Sequence, residues 1–124
     1  MKIISGGIAA PLGFKASGVS CGIKKSGKKD LALIYSVKPA VAAGMFTTNR
    51  IKAAPLKVTA AHLKNKFASA VIINSGNANC STGKQGINDA IALAKSVAAQ
   101  LKVPGRNVLV ASTGIIGKRL PLNK

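Results

Sequence analysis

The stretch Val71–Gly86, VIINSGNANCSTGKQG, decides how this 124-residue chain is read. Val71, Ile72 and Ile73 have the β-branched content of a buried strand. They feed a loop of Asn74, Ser75, Gly76, Asn77 and Asn79 whose short side chains serve to bend backbone. Gly76 takes positive φ without a Cβ clash, and asparagines bond their own backbone. A helix follows. Ile87, Ala90, Ile91, Ala94, Val97, Ala98 and Leu101 recur at spacings of three and four, forming one apolar stripe, with Lys84, Lys95 and Gln100 mostly off it. Thr82 and Gln85 have capping-box spacing, and Asp89 is expected near the positive end of the helix dipole. Pro104 and Gly105 stop the helix, and Asn107–Ala111 starts a second strand within VLVASTGIIG, Val108–Gly117.

Strand, helix and strand with short connections form a βαβ unit when both strands lie parallel in one sheet. Their C-terminal ends then share an edge, and NSGNANCSTG and STGIIG face a common crevice, where open α/β sheets bind ligands. An antiparallel return would separate the two loops. Outside this unit, Ile8–Gly22 reads as an extended arm or an edge strand, and Gly22–Lys29 as an exposed turn. Leu31–Val37 reads as a strand ended by Pro39, and Ala42–Asn49 as a further strand. Beyond Pro55, Thr59–Lys66 reads as a helix capped by Thr59.

A chain of this length is expected to form one domain. Its 48% apolar content includes only Phe14, Tyr35, Phe46 and Phe67 as aromatics, so the core must be aliphatic, as in a sheet packed on helices. Nineteen Lys and Arg stand against two acids, Asp30 and Asp89, giving +17. A nucleic-acid partner, anionic small substrates or a missing acidic remainder would each account for that field. The bases are scattered and accompany no nucleic-acid motif, which makes a solvated surface the plainer reading. Cys21 and Cys80 lack the partners for a metal site or a disulfide framework, and two unpaired thiols suit a reducing compartment. In MKIISGGIAAPLGF, Gly6, Gly7 and Pro11 interrupt any leader-like apolar run, and no stretch reaches membrane-spanning length.

Gly22–Lys29 nearly spells a phosphate loop, but Lys29 stands where a hydroxyl belongs and the motif precedes a strand. Gly76 and Gly83 are too far apart for the same motif. STGIIG carries the groups of an oxyanion hole: the Gly114 amide is approachable because no side chain screens it, and Thr113 adds a hydroxyl or an amide. A structural Thr-Gly turn after a strand is the competing reading. His62 reads as an exposed or half-buried helix residue, and no Ser-His-Asp set is available.

APLGFKASGVSCGIKKSGKKDLALIYS, AGMFTTNRIKAAP, VIINSGNANCSTGKQG and VLVASTGIIGKRLPLNK, in that order, resemble the N-terminal part of the ornithine acetyltransferase family, the bifunctional glutamate N-acetyltransferases. The resemblance spans nearly the whole chain. It implies a cytosolic enzyme of arginine biosynthesis that moves acetyl from N2-acetylornithine to glutamate, and in bifunctional members also from acetyl-CoA, with no cofactor or metal. It also implies a precursor that cuts itself at an Ala-Thr bond. The freed threonine of the β chain is then the nucleophile, its amine can serve as the base, and the assembly is an α2β2 heterotetramer. Thr113 and Gly114 match the family's oxyanion-hole pair. The implied fold is a layered α/β sandwich similar to N-terminal-nucleophile hydrolases, of which residues 1–124 would be one partial domain from the α chain.

Two departures stand out. Where the family reads NANACTG, this chain has Asn77, Ala78, Asn79, Cys80, Ser81, Thr82 and Gly83. The chain also stops at Lys124, before the cleavage junction, so by itself it is expected to transfer no acetyl and to expose an unpaired sheet edge. The alternative from another class is a basic module touching nucleic acid through Lys24–Lys29.

Overall fold

The computed structural model describes residues 5–124; the first residues of the segment read as lacking a leader, 1–4, lie outside it. Four strands, β1 (Phe14–Val19), β2 (Leu31–Val41), β3 (Phe67–Asn77) and β4 (Val108–Ile115), form one sheet in the order β1-β2-β3-β4. β1 and β2 pair antiparallel, as do β2 and β3, while β3 and β4 run parallel around the long helix α2 (Gly83–Leu101). The shorter helix α1 (Ala54–Leu63) packs against β4 and α2. The class is α/β, and the expected parallel βαβ unit is present.

The apolar stripe of α2 does what its periodicity demands. Ala90, Ala94 and Ala98 are buried against Ala70 and Ile72 of β3, Val108 and Val110 of β4, and Val58 of α1, with Ile87, Ile91, Val97 and Leu101 half-buried around them. Alanines in the centre of the stripe let the helix approach the sheet closely. The helix ends where Lys102 takes a left-handed conformation, φ 55°, and the Val103 amide bonds the Ala98 carbonyl, ahead of Pro104. Strand alternation puts Ile34, Val71, Ile73 and Leu109 on the opposite face, which no helix among the described residues covers.

Several expectations are corrected. Pro39 does not end β2. The strand continues to Val41 because the register with β3 jumps between Tyr35 and Ala40, leaving proline in a stretch that owes no amide to β3. Ala42–Asn49 is not a strand: Met45 is fully exposed, and Thr47 and Asn49 accept the amides of Asn49 and Ile51 in local turns that compete with pairing. Helix α1 starts at Ala54, since Pro55 fits the first turn where its missing N–H is not needed. Thr59 therefore lies inside the helix and caps nothing. The capping box at α2 does not form either, because Thr82 Oγ1 donates to Asn79 and Gln85 Nε2 to Asp89. Asp89 sits in the second turn, beyond the dipole's useful reach, and its charge is met by Arg119 instead. Of the two readings for Ile8–Gly22, the edge strand is realised, as β1.

Candidate active site

The two segments read as loops after strands are the last pairs of the parallel ladder. Asn74 lies opposite Ser112, Ser75 opposite Thr113, Gly76 opposite Gly114 and Asn77 opposite Ile115. Thr113 and Gly114 thus belong to β4 itself, correcting the expectation of a turn, and both are exposed. Their neighbours on the shared edge are the ones foreseen. Strand pairing rather than a flexible loop holds them, which is the rigidity a preorganised donor needs.

The free side of β4 explains what Gly114 can do. α1 covers the first half of that side: Thr59 Oγ1 donates to the Val110 carbonyl at 2.7 Å and accepts the Val110 amide at 2.9 Å, and His62 Nδ1 lies 2.8 Å from the Val108 carbonyl. On the other side, the Ile115 carbonyl accepts the amide of Ala78. Backbone groups alternate along a strand, so Val108, Val110, Ser112 and Gly114 point out of the sheet and Ile115 points into it. The Gly114 amide is directed to the open side past the point where α1 ends. Thr113 alternates with the buried Val110 and so carries its hydroxyl on the sheet face that the helices leave uncovered.

The asparagines do more than bend the chain. Asn74, Asn77 and Asn79 are buried and knit the edge together. Asn74 accepts from Ser112 Oγ at 2.5 Å and donates to the Asn77 carbonyl at 2.8 Å. Asn77 accepts the Asn79 amide and donates to the carbonyls of Lys118 and Arg119, at 3.2 and 2.9 Å, tying down the chain after β4. Asn79 donates to the Gly86 carbonyl in α2 at 2.8 Å. The local bonds among Asn74, Asn77 and Asn79 are of the kind expected of such a loop. Those to Ser112, Lys118 and Arg119 were unreadable from spacing, because only the tertiary pairing brings these residues together.

Both acids are buried. Asp30 accepts the amides of Lys24 and Cys21, at 2.8 and 2.7 Å, and these hold its carboxyl at about 2, below the usual 3.8. Asp89 is lowered too, chiefly by Arg119, whose Nε and Nη2 reach it at 3.1 and 2.9 Å. Neither carboxylate is poised as a base near neutrality. Burial, and then Asp30, push the Cys21 thiol up, away from nucleophilic thiolate. Among the described residues no group of three metal-ligating side chains comes together, and no helix is long and apolar enough to cross a membrane. Exposed at this edge are Thr113 and the backbone of Gly114.

The model of the ArgJ family matches residues 15–124. The arginine biosynthesis bifunctional protein ArgJ of Caldanaerobacter subterraneus subsp. tengcongensis is 53% identical over 124 residues, 100% of this chain and 30% of that protein. The protein of the same name from Gloeobacter violaceus is 50% identical over 122 residues, 98% of this chain and 30% of that one. Among solved structures, arginine biosynthesis bifunctional protein argJ from Bacillus halodurans superposes with a TM-score of 0.92 at 39% identity, covering 95% of this chain and 62% of that chain. Ornithine acetyltransferase complexed with ornithine from Mycobacterium tuberculosis gives 0.92 at 47% identity, covering 94% of this chain and 64% of that one. The chain thus spans about 30% of the length of these curated relatives. With the family model matched from β1 onward and the same fold in both solved structures, the chain belongs to the ArgJ family.

Proposed function

We propose that this chain supplies the oxyanion-binding part of an acetyltransferase of arginine biosynthesis, which carries acetyl from N2-acetylornithine to glutamate and, in a bifunctional member, also from acetyl-CoA. The observation that carries the reading is the Gly114 amide, aimed out of the free side of β4 beside the exposed Thr113. The nucleophile in this reading is the leading threonine of a β chain that follows the residues described. Its hydroxyl attacks the acetyl carbon, its proton passes to the threonine's own amine, and the carbonyl oxygen becomes an oxyanion held by Gly114 N–H and Thr113. Collapse breaks the bond to the ornithine nitrogen, which leaves as the protonated amine, and the acetyl-threonine ester is then attacked by the amine of glutamate. Two fixed donors stabilise the tetrahedral state more than the planar carbonyl, which is what raises rate rather than affinity.

The resemblance supports an α2β2 assembly in the cytoplasm, and the many unpaired lysines suit substrates that carry carboxylates. The chain alone lacks the attacking group and is inactive in this reading. The test is acetyl transfer from N2-acetylornithine to glutamate by the chain alone and by the same chain together with the downstream segment of its reading frame. Activity confined to the longer form is expected; activity of the chain alone, or none in either, overturns the proposal.

A further inference from the structure

A cavity of about 540 Å³ opens between the segment leading into α1 and the start of α2. Arg50, Lys52, Lys57 and Lys84 line it together with Ser81 and Thr82, and no acid does. The chain's only two acids cannot help, since Asp89 is engaged with Arg119 and Asp30 with backbone amides. Four like charges around one concave space repel one another, and low-dielectric walls sharpen the field there. The walls are fixed. The Ala54 amide bonds the carbonyl of Asn79 and so joins the two sides of the cavity, and the fully buried Asn79 side chain, bonded to Gly86 and Thr82, fixes the α2 side.

From this geometry we infer that the cavity is a binding site for a small polyanion, a molecule carrying a diphosphate. Its volume falls in the range of sites for nucleotide-sized ligands. Four cations match the charge of a diphosphate, whereas a single carboxylate would leave most of them unpaired. Ser81 adds a hydroxyl donor to the same oxygens, while the Thr82 hydroxyl is already given to Asn79. A nucleic-acid surface needs an extended basic stripe and stacking aromatics, whereas here the cations surround one open concavity that no aromatic lines. The inference does not depend on acetyl transfer, because it rests on cavity-lining residues that include neither Thr113 nor Gly114.

The test is calorimetric titration of the full-length protein with ADP and with inorganic pyrophosphate, in sodium chloride held at one ionic strength. One ligand per chain is expected, with affinity falling about tenfold in Lys57→Ala and in Lys84→Ala, unchanged in Lys15→Ala on the far edge strand, and largely kept in Lys84→Arg. All four side chains are exposed or solvent-reaching, so the variants fold. ADP much tighter than pyrophosphate assigns a nucleotide; equal affinities assign a free diphosphate. Equal binding by all variants, no binding above that of chloride, or tighter binding of an oligonucleotide that ignores Lys57 overturns the inference. Turnover is not the readout, so failure here leaves the acetyl-transfer reading standing and the reverse also holds.

Discussion

Gly114 faces Gly76 across the parallel pair so closely that a Cβ on Gly114 would lie 2.3 Å from the Gly76 carbonyl carbon and 2.5 Å from the Asn77 nitrogen. With φ at +131°, Gly114 also adopts a backbone conformation that side chains avoid. Glycine is thus required here for packing, whatever else its amide does.

Gly114→Ala is expected to destabilise the fold by about 3 kcal/mol or more, because the clash is with backbone that cannot step aside. Gly76→Ala should cost less, about 1–2 kcal/mol, since φ is +103° but the nearest atoms, Ile23 Cγ2 at 2.9 Å and Lys24 Cγ at 3.1 Å, belong to side chains and not to backbone. Urea unfolding midpoints compare the two. Equal losses would mean that conformation alone sets the requirement.

Thr113 is exposed and touches no core residue, so Thr113→Ala should move stability by less than about 0.5 kcal/mol. Turnover of the complete protein should fall on the order of a hundredfold, with KM little changed, if Thr113 donates to the oxyanion. Steady-state kinetics on the folded variant decides this. Unchanged kcat removes the role.

Thr59 satisfies both backbone groups of the buried Val110 from inside α1. Thr59→Val keeps the shape and strands a donor and an acceptor, at a cost of about 2 kcal/mol, whereas Thr59→Ser should keep most of the stability. Hydrogen exchange at the Val110 amide gives an independent reading: it should accelerate in the valine variant only.

Acid should weaken the fold in a defined window. Asp30 is held at about 2 by the Lys24 and Cys21 amides, against an ordinary 3.8, and Asp89 is lowered by Arg119. A carboxyl lowered on folding binds fewer protons folded than unfolded. Stability is therefore complete above about pH 4 and is lost as pH falls toward 2. Unfolding midpoints between pH 5 and pH 2 follow this, and Asp30→Asn should flatten the slope. A slope unchanged in that variant would assign the acid sensitivity elsewhere.

Local and periodic features were legible in the residues. The three- and four-residue spacing of the Ile and Ala positions gave α2, because one helix face must be apolar when it packs on a sheet, and the Val/Ile runs gave the cores of β3 and β4. The short connections made parallel pairing an expectation beside an antiparallel return, and the structure realises it with Thr113 and Gly114 on the shared edge. Competing local signals misled. Proline in β2 and threonine in α1 looked like boundaries, yet proline sits where the register jumps and Thr59 bonds a strand about fifty positions away.

By itself the sequence determined the class and the core strands and helix of the βαβ unit, since these are carried by residue types at fixed separations, and the family was legible as a resemblance over four blocks of the chain. Only the tertiary structure decided that Gly114 is a packing glycine, that three buried asparagines lock the edge to the chain after β4, and that cations of the Arg50–Lys57 segment meet Lys84 around one cavity. Each of these joins residues far apart in the chain, and their meeting depends on how strands and helices pack, a relation that no local pattern encodes.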